Sequence, residues 1–125
     1  MEESHELYFN KGWEAEQAKR YEEAADWYAK AAELGNLDAQ KLLGFMYRTG
    51  TGVKKDYPTA IKWYRMAADQ GDSQSQVDLG TLFYYGSGID KDLTAARFYL
   101  ELAASNEEYD AKELLEKMNA NMVIG

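Results

Sequence analysis

The apolar positions of this chain recur on two scales, at helical spacing inside short segments and at a fixed period between them. The segments AADWYAKAAELG (24–35), AIKWYRMAADQG (60–71) and AARFYLELAASN (96–107) begin 36 residues apart. Each opens on Ala, places two bulky residues at its fourth and fifth positions, and has Ala-Ala at the eighth and ninth. The shared positions are Ala24, Trp27, Tyr28, Ala31 and Ala32, then Ala60, Trp63, Tyr64, Ala67 and Ala68, then Ala96, Tyr99, Leu100, Ala103 and Ala104. Such offsets fall on one face of an α-helix. Self-similarity at a period of this size predicts an array of stacked helical units.

The intervening stretches predict partner helices. Leu7, Tyr8, Lys11, Gly12 and Ala15 share helical spacing over 4–19, and a second helix covers 20–34 with Gly35 as its stop. Asn36 is the expected cap of a third helix, in which Leu42, Leu43, Phe45, Met46 and Tyr47 are too crowded for a single face. Asp56 and Asp92 are expected N-caps, and Pro58 suits a first turn, where its missing N–H is not needed. Gly71 ends one helix and Asp72 begins the next, while Asn106 ends another. The tail repeats the start of a unit, with Ala111 aligned to Ala39 and Leu115 to Leu43. A capping helix is expected over 108–119, with fraying over 119–125. The total is about seven helices.

Gly44 interrupts a helix at a cost of about 1 kcal/mol against alanine, and Gly80 recurs 36 residues later. The repetition predicts a notch where a neighbouring helix passes without room for a Cβ, filled by the class of residue that Trp27 and Trp63 represent. Where these glycines stood, the tail has Glu116, the polar replacement expected of a terminal cap. The glycine pairs Gly50-Thr51-Gly52-Val53 and Gly86-Ser87-Gly88-Ile89 invite comparison with phosphate-binding loops. No strand precedes them and no Gly-Lys-Ser/Thr follows, so they are read as turns, with Val53 and Ile89 tucked toward the core.

Composition narrows the function classes. A chain of 125 residues with 46% hydrophobic and 14% aromatic content is expected to form one domain, spanning 1–125. Its net charge of −8 argues against nucleic acid and against an anionic membrane surface as partners. That charge is uneven: residues 1–35 have nine acids and four bases, 36–71 three acids and six bases, and 72–125 ten acids and four bases. There is no cysteine, hence no disulfide framework and no thiolate metal site. The first ten residues, MEESHELYFN, lack a basic start and an apolar run, so no signal peptide is read there and a cytoplasmic location is expected.

Candidate chemistry is sparse. His5 is the single histidine, and a solvated side chain is its expected state. The carboxylates follow helix surfaces and first turns, and none has the spacing of a calcium loop. No catalytic residue, metal ligand, cofactor or small-molecule substrate is expected, and the chain is read as non-enzymatic.

The run Leu43-Gly44-Phe45-Met46-Tyr47, followed by Gly50, Gly52, Val53, Asp56, Tyr57, Ala60, Trp63, Tyr64, Ala67, Ala68 and Gly71, resembles a Sel1-like repeat. Residues 36–71 fill nearly every position of that motif. Residues 72–107 form a second, weaker copy, and 4–35 resemble a unit with the shorter turn of a tetratricopeptide repeat. The resemblance implies an all-α, right-handed α/α superhelical solenoid of three helix pairs plus a capping helix. It also implies a protein-binding adaptor or scaffold, the alternative being a dedicated inhibitor such as an immunity protein that neutralises a toxin.

If the tetratricopeptide pattern carries over, the first helix of each unit lines a concave groove that takes a peptide or protein surface. Its outward positions would be Phe9, Trp13, Glu16 and Gln17, then Asp38, Lys41, Phe45, Arg48 and Thr49, then Gln74, Val77, Thr81, Tyr84 and Tyr85. Among these, Phe9, Trp13, Lys41, Phe45, Arg48, Tyr84 and Tyr85 are the expected partner-binding residues, because aromatics and arginine favour binding anchors.

Overall fold

Four helices begin where a short acidic or amide side chain can accept from the backbone two or three residues ahead. Asn36 Oδ1 accepts from Ala39 N at 2.8 Å, and Asp56, Asp72 and Asp92 repeat the bond to Thr59, Ser75 and Ala95. Ser4 Oγ does the same for Leu7. A computed structural model describes residues 4–106 and 108–124, with side chains as far as Asn121. Among the described residues there are seven α-helices and no strand. They are α1 (His5–Gln17), α2 (Tyr21–Glu33), α3 (Leu37–Thr49), α4 (Tyr57–Asp69), α5 (Ser73–Tyr85), α6 (Leu93–Ala104) and α7 (Tyr109–Ile124). The capping helix thus runs past the expected end at 119, to Ile124. Residue 119 is engaged rather than frayed: Arg97 Nη1 donates to Asn119 Oδ1 at 3.1 Å.

The glycine turns end the helices as their spacing implies. Gly50 and Gly86 close α3 and α5 with left-handed backbone, at φ 75° and 66°. Asp56 N then donates to Tyr47 O at 2.8 Å, and Asp92 N to Phe83 O at 3.0 Å, giving the two long turns one geometry. Val53 packs against buried core residues, whereas Ile89 is half-buried.

The chain falls into two compact units, Met1–Gln70 and Gly71–Gly125. In the first, α1 packs on α2, α2 on α3 and α3 on α4. Its core holds Ala15, Ala24, Ala25, Tyr28, Ala31, Ala32, Ala39, Leu43, Met46 and Trp63. In the second, α5, α6 and α7 pack on one another around Val77, Ala96, Leu100, Ala103, Ala111, Leu114 and Met118. Val77, expected to face outward, is therefore a core residue.

The repeated alanines let paired helices approach, and the glycine notch is real. A Cβ on Gly12 would stand 2.6 Å from Tyr28 Cδ1, one on Gly44 2.7 Å from Tyr64 Cε1, and one on Gly80 2.6 Å from Leu100 Cγ. The filler is thus the second bulky residue of each line, not the tryptophan beside it. Adjacent helix positions point about 100° apart, so only one of the pair can meet the glycine. Trp63 is buried in the core of the first unit, while Trp27 is half-exposed and stacks on Tyr8 at 5.8 Å. A fully buried large side chain such as Tyr28 contributes about 1.5–3 kcal/mol through apolar burial.

Candidate partner-binding site

In the first two repeats, the residue one helical turn after the notch glycine is positioned by the side chain that fills the notch. In the first repeat it is Glu16, whose Oε1 accepts from the Tyr28 hydroxyl at 2.5 Å. Burial, then the hydrogen bond to Glu16 and its charge, raise the Tyr28 pKa far above the ordinary phenol value. In the second repeat it is Arg48, whose guanidinium carbon lies 5.8 Å from the Tyr64 ring centroid and 5.7 Å from that of Phe45. In the third it is Tyr84, which meets Tyr85 edge-on at 4.8 Å. Leu100 has no hydroxyl to offer there. The Tyr84 hydroxyl instead accepts from Asn121 Nδ2 at 3.4 Å, linking α5 to α7.

The residue directly after the notch glycine turns away from it. Trp13 is 52% exposed and Phe45 46% exposed, both in the first unit and at the same place in the repeat. Thr81 occupies that place in the second unit, and donates to Val77 O at 2.8 Å within its own helix. Phe9 is half-buried, 5.5 Å from the Tyr28 ring, and packs against the first core. It behaves as helix-to-helix packing more than as an anchor. Lys41 is half-buried on α3, one turn before Phe45. In the second unit Tyr85 is 55% exposed and Tyr84 half-buried. The structure thus separates the seven expected residues into exposed aromatics (Trp13, Phe45, Tyr85), half-buried polar residues (Lys41, Arg48) and half-buried rings (Phe9, Tyr84).

His5 is not the solvated side chain expected. It is half-buried, and its Nδ1 lies 2.9 Å from Asn36 Nδ2, where the amide donates. Asn36 also caps α3, so the pair joins the starts of α1 and α3. Composition carried no sign of this, since the partners are 31 residues apart. The Glu16–Tyr28 bond was equally hidden, although its repeat position, four residues after Gly12, is a usable signal. Among the described residues no group of three or more His, Cys, Asp or Glu side chains could hold a metal ion. No described helix is long and apolar enough to cross a membrane.

Paired antiparallel helices, a periodic notch and exposed aromatics at one repeat position define a helical-repeat protein of the tetratricopeptide-like class. Within that class the chain belongs to the Sel1 repeat family, whose profile matches residues 11–36, 37–72 and 73–107. It is similar to c5321, a protective antigen with an SLR fold present in uropathogenic Escherichia coli strains, at 31% identity and TM-score 0.84. That match covers 94% of this chain and 26% of c5321. A Sel1 repeat protein from Oxalobacter formigenes is 33% identical with TM-score 0.82, over 89% of this chain and 47% of its own. Helicobacter pylori cysteine rich protein B is 30% identical with TM-score 0.66, over 73% of this chain and 68% of its own. This chain spans about a quarter and about half of the first two, and has no cysteine. No curated protein matches it. Sel1 repeats are generally protein–protein interaction modules, and such proteins are typically non-catalytic scaffolds.

Proposed function

We propose that the protein binds a peptide or protein surface on the first helices of its repeats, as an adaptor without catalytic activity of its own. The observation that carries this reading is the shared exposure of Trp13 and Phe45 at one repeat position in the first unit. An aromatic side chain left half in water gains nothing for the fold in that half, yet is well suited to anchor a partner. Tyr85 offers a comparable exposed ring in the second unit.

Affinity capture from the native host with the unmodified protein and a Trp13→Ala/Phe45→Ala/Tyr85→Ala variant tests the reading. Partners should be lost with the variant while its circular dichroism and melting temperature stay near those of the parent. Retention of every partner by a folded variant sinks it. Capture of one tight, stoichiometric partner would make the protein a dedicated inhibitor, whereas several weaker partners would mark an adaptor.

A further inference from the structure

Arg48 is held by aromatic rings, as Lys11, Lys30, Lys55 and Lys62 are, but it brings a guanidinium to that arrangement. The described bases Arg20, Arg97 and Lys117 reach Glu23, Glu101 and Glu113 at 3.5, 3.7 and 3.8 Å. Among the described residues no carboxylate pairs with Arg48; its guanidinium instead lies near the rings of Phe45 and Tyr64. Tyr64 is buried and set against Gly44, so this support is rigid, whereas Phe45 is exposed and marks the boundary with water.

Ring contacts engage the flat face of a guanidinium, while its five N–H donors lie in the plane. A half-buried guanidinium held in this way is pre-organised for a planar, two-point acceptor, which a carboxylate supplies. No acid on the same helix face competes closely. Asp38 stands ten residues earlier on α3, about 15 Å along the axis. Glu16, at the equivalent repeat position on α1, is committed to the Tyr28 hydroxyl. The repeat that contains Arg48 has six bases against three acids, in a chain whose net charge is −8. Screening over about 8–10 Å lets that local excess act on a nearby acid while the distant negative charge fades.

We propose that Arg48 receives an aspartate or glutamate side chain of the docked partner, with an apolar partner residue seated beside it on Phe45. The partner segment therefore carries a carboxylate next to a large apolar side chain. This inference rests on the docking function proposed above and specifies the chemistry of what docks.

The probe is an array of end-capped octapeptides in which an aromatic or leucine is flanked by glutamate, with matched glutamine and lysine copies. Capping removes terminal charges, so the side chain alone is read. The wild-type protein should bind the glutamate peptides about tenfold more tightly than the glutamine copies, a charged hydrogen-bonded pair being of that order. Arg48→Gln should abolish the difference, and Arg48→Glu should shift preference to the lysine copies, in variants whose melting temperatures confirm folding. Equal binding of glutamate and glutamine peptides, absence of binding to either, or a preference that survives Arg48→Gln overturns the proposal. Trp13→Ala/Phe45→Ala separates the two readings. Charge-blind binding that this variant loses leaves docking intact and removes the role of Arg48. Peptide binding that the variant keeps removes the docking surface itself.

Discussion

The ring of Tyr64 lies against the bare backbone of Gly44, so close that a Cβ there would stand 2.7 Å from Cε1 and 2.8 Å from Cδ1. Alanine would favour the helix by about 1 kcal/mol, but overpacking a well-filled core costs about 1–3 kcal/mol. Tyr64 is buried, and a flat ring has little room to yield, so the clash wins. Gly44→Ala is expected to destabilise the protein by up to about 2 kcal/mol on these terms, read as a lower urea midpoint with unchanged slope. A midpoint at or above the parent's would show that the notch is not tight.

The Tyr28 hydroxyl, buried and bonded to Glu16, resists ionisation in the folded protein. In the unfolded chain it ionises near pH 10. Below that pH both states keep the proton and its stabilising contribution is complete. Above it the unfolded chain releases the proton and the folded state does not, so stability falls as pH rises past about 10. Tyrosinate absorbance should show the Tyr28 phenol ionising only on unfolding, and Tyr28→Phe should remove that part of the signal. A complete tyrosine titration in the still-folded protein would contradict this.

Lys19 adopts φ 61° at the turn between α1 and α2, a conformation that costs a residue with a Cβ about 1 kcal/mol. The equivalent positions, one past the C-caps of α2 and α4, are Gly35 and Gly71 at φ 97° and 92°. Lys19→Gly should raise stability by up to about 0.6 kcal/mol after the extra freedom of the unfolded chain is counted. Lys19→Val should lower it. Thermal melts of the two variants give the sign directly.

Gln70 bridges two acceptors, donating through Nε2 to Gly35 O at 3.0 Å and to the buried Gln40 Oε1 at 2.8 Å. Gln40 in turn donates to Ala32 O at 3.1 Å. Asn106, one period later, is a methylene shorter and donates within its own turn, to Leu102 O at 3.4 Å. Gln70→Asn should therefore lose the reach to Gln40 and cost about 1–3 kcal/mol, the penalty for a buried acceptor left without its donor. Chemical denaturation measures it, with Gln74→Asn as an exposed control on another helix.

The helix count, the caps and the glycine turns were legible because each depends on local chemistry. An Asp or Asn accepts from a backbone N–H three residues ahead, and a glycine tolerates left-handed backbone, wherever the rest of the chain lies. Periodicity added the array and its family, since a residue that recurs every 36 positions meets the same neighbour each time. The bland fate of Phe9, packed on Tyr28, was not legible, and neither was the burial of Val77. Both occupy outward positions by repeat register, and the space available around them decided otherwise.

The sequence by itself determined seven helices, their repeat pairing and the glycine notch. Only the tertiary structure decided which of two adjacent bulky residues fills that notch, because neighbouring helix positions diverge by about 100° and the crossing helix selects one. It also decided that His5 braces Asn36, that Glu16 is spent on Tyr28, and that Arg48 lies against two rings. The His5–Asn36 and Glu16–Tyr28 contacts join residues 31 and 12 positions apart, and Arg48 meets Tyr64 from a neighbouring helix, distances at which no local propensity acts. Only Phe45 lies within a turn of Arg48 on the same helix. Packing brought them together, and the candidate site is what packing left exposed.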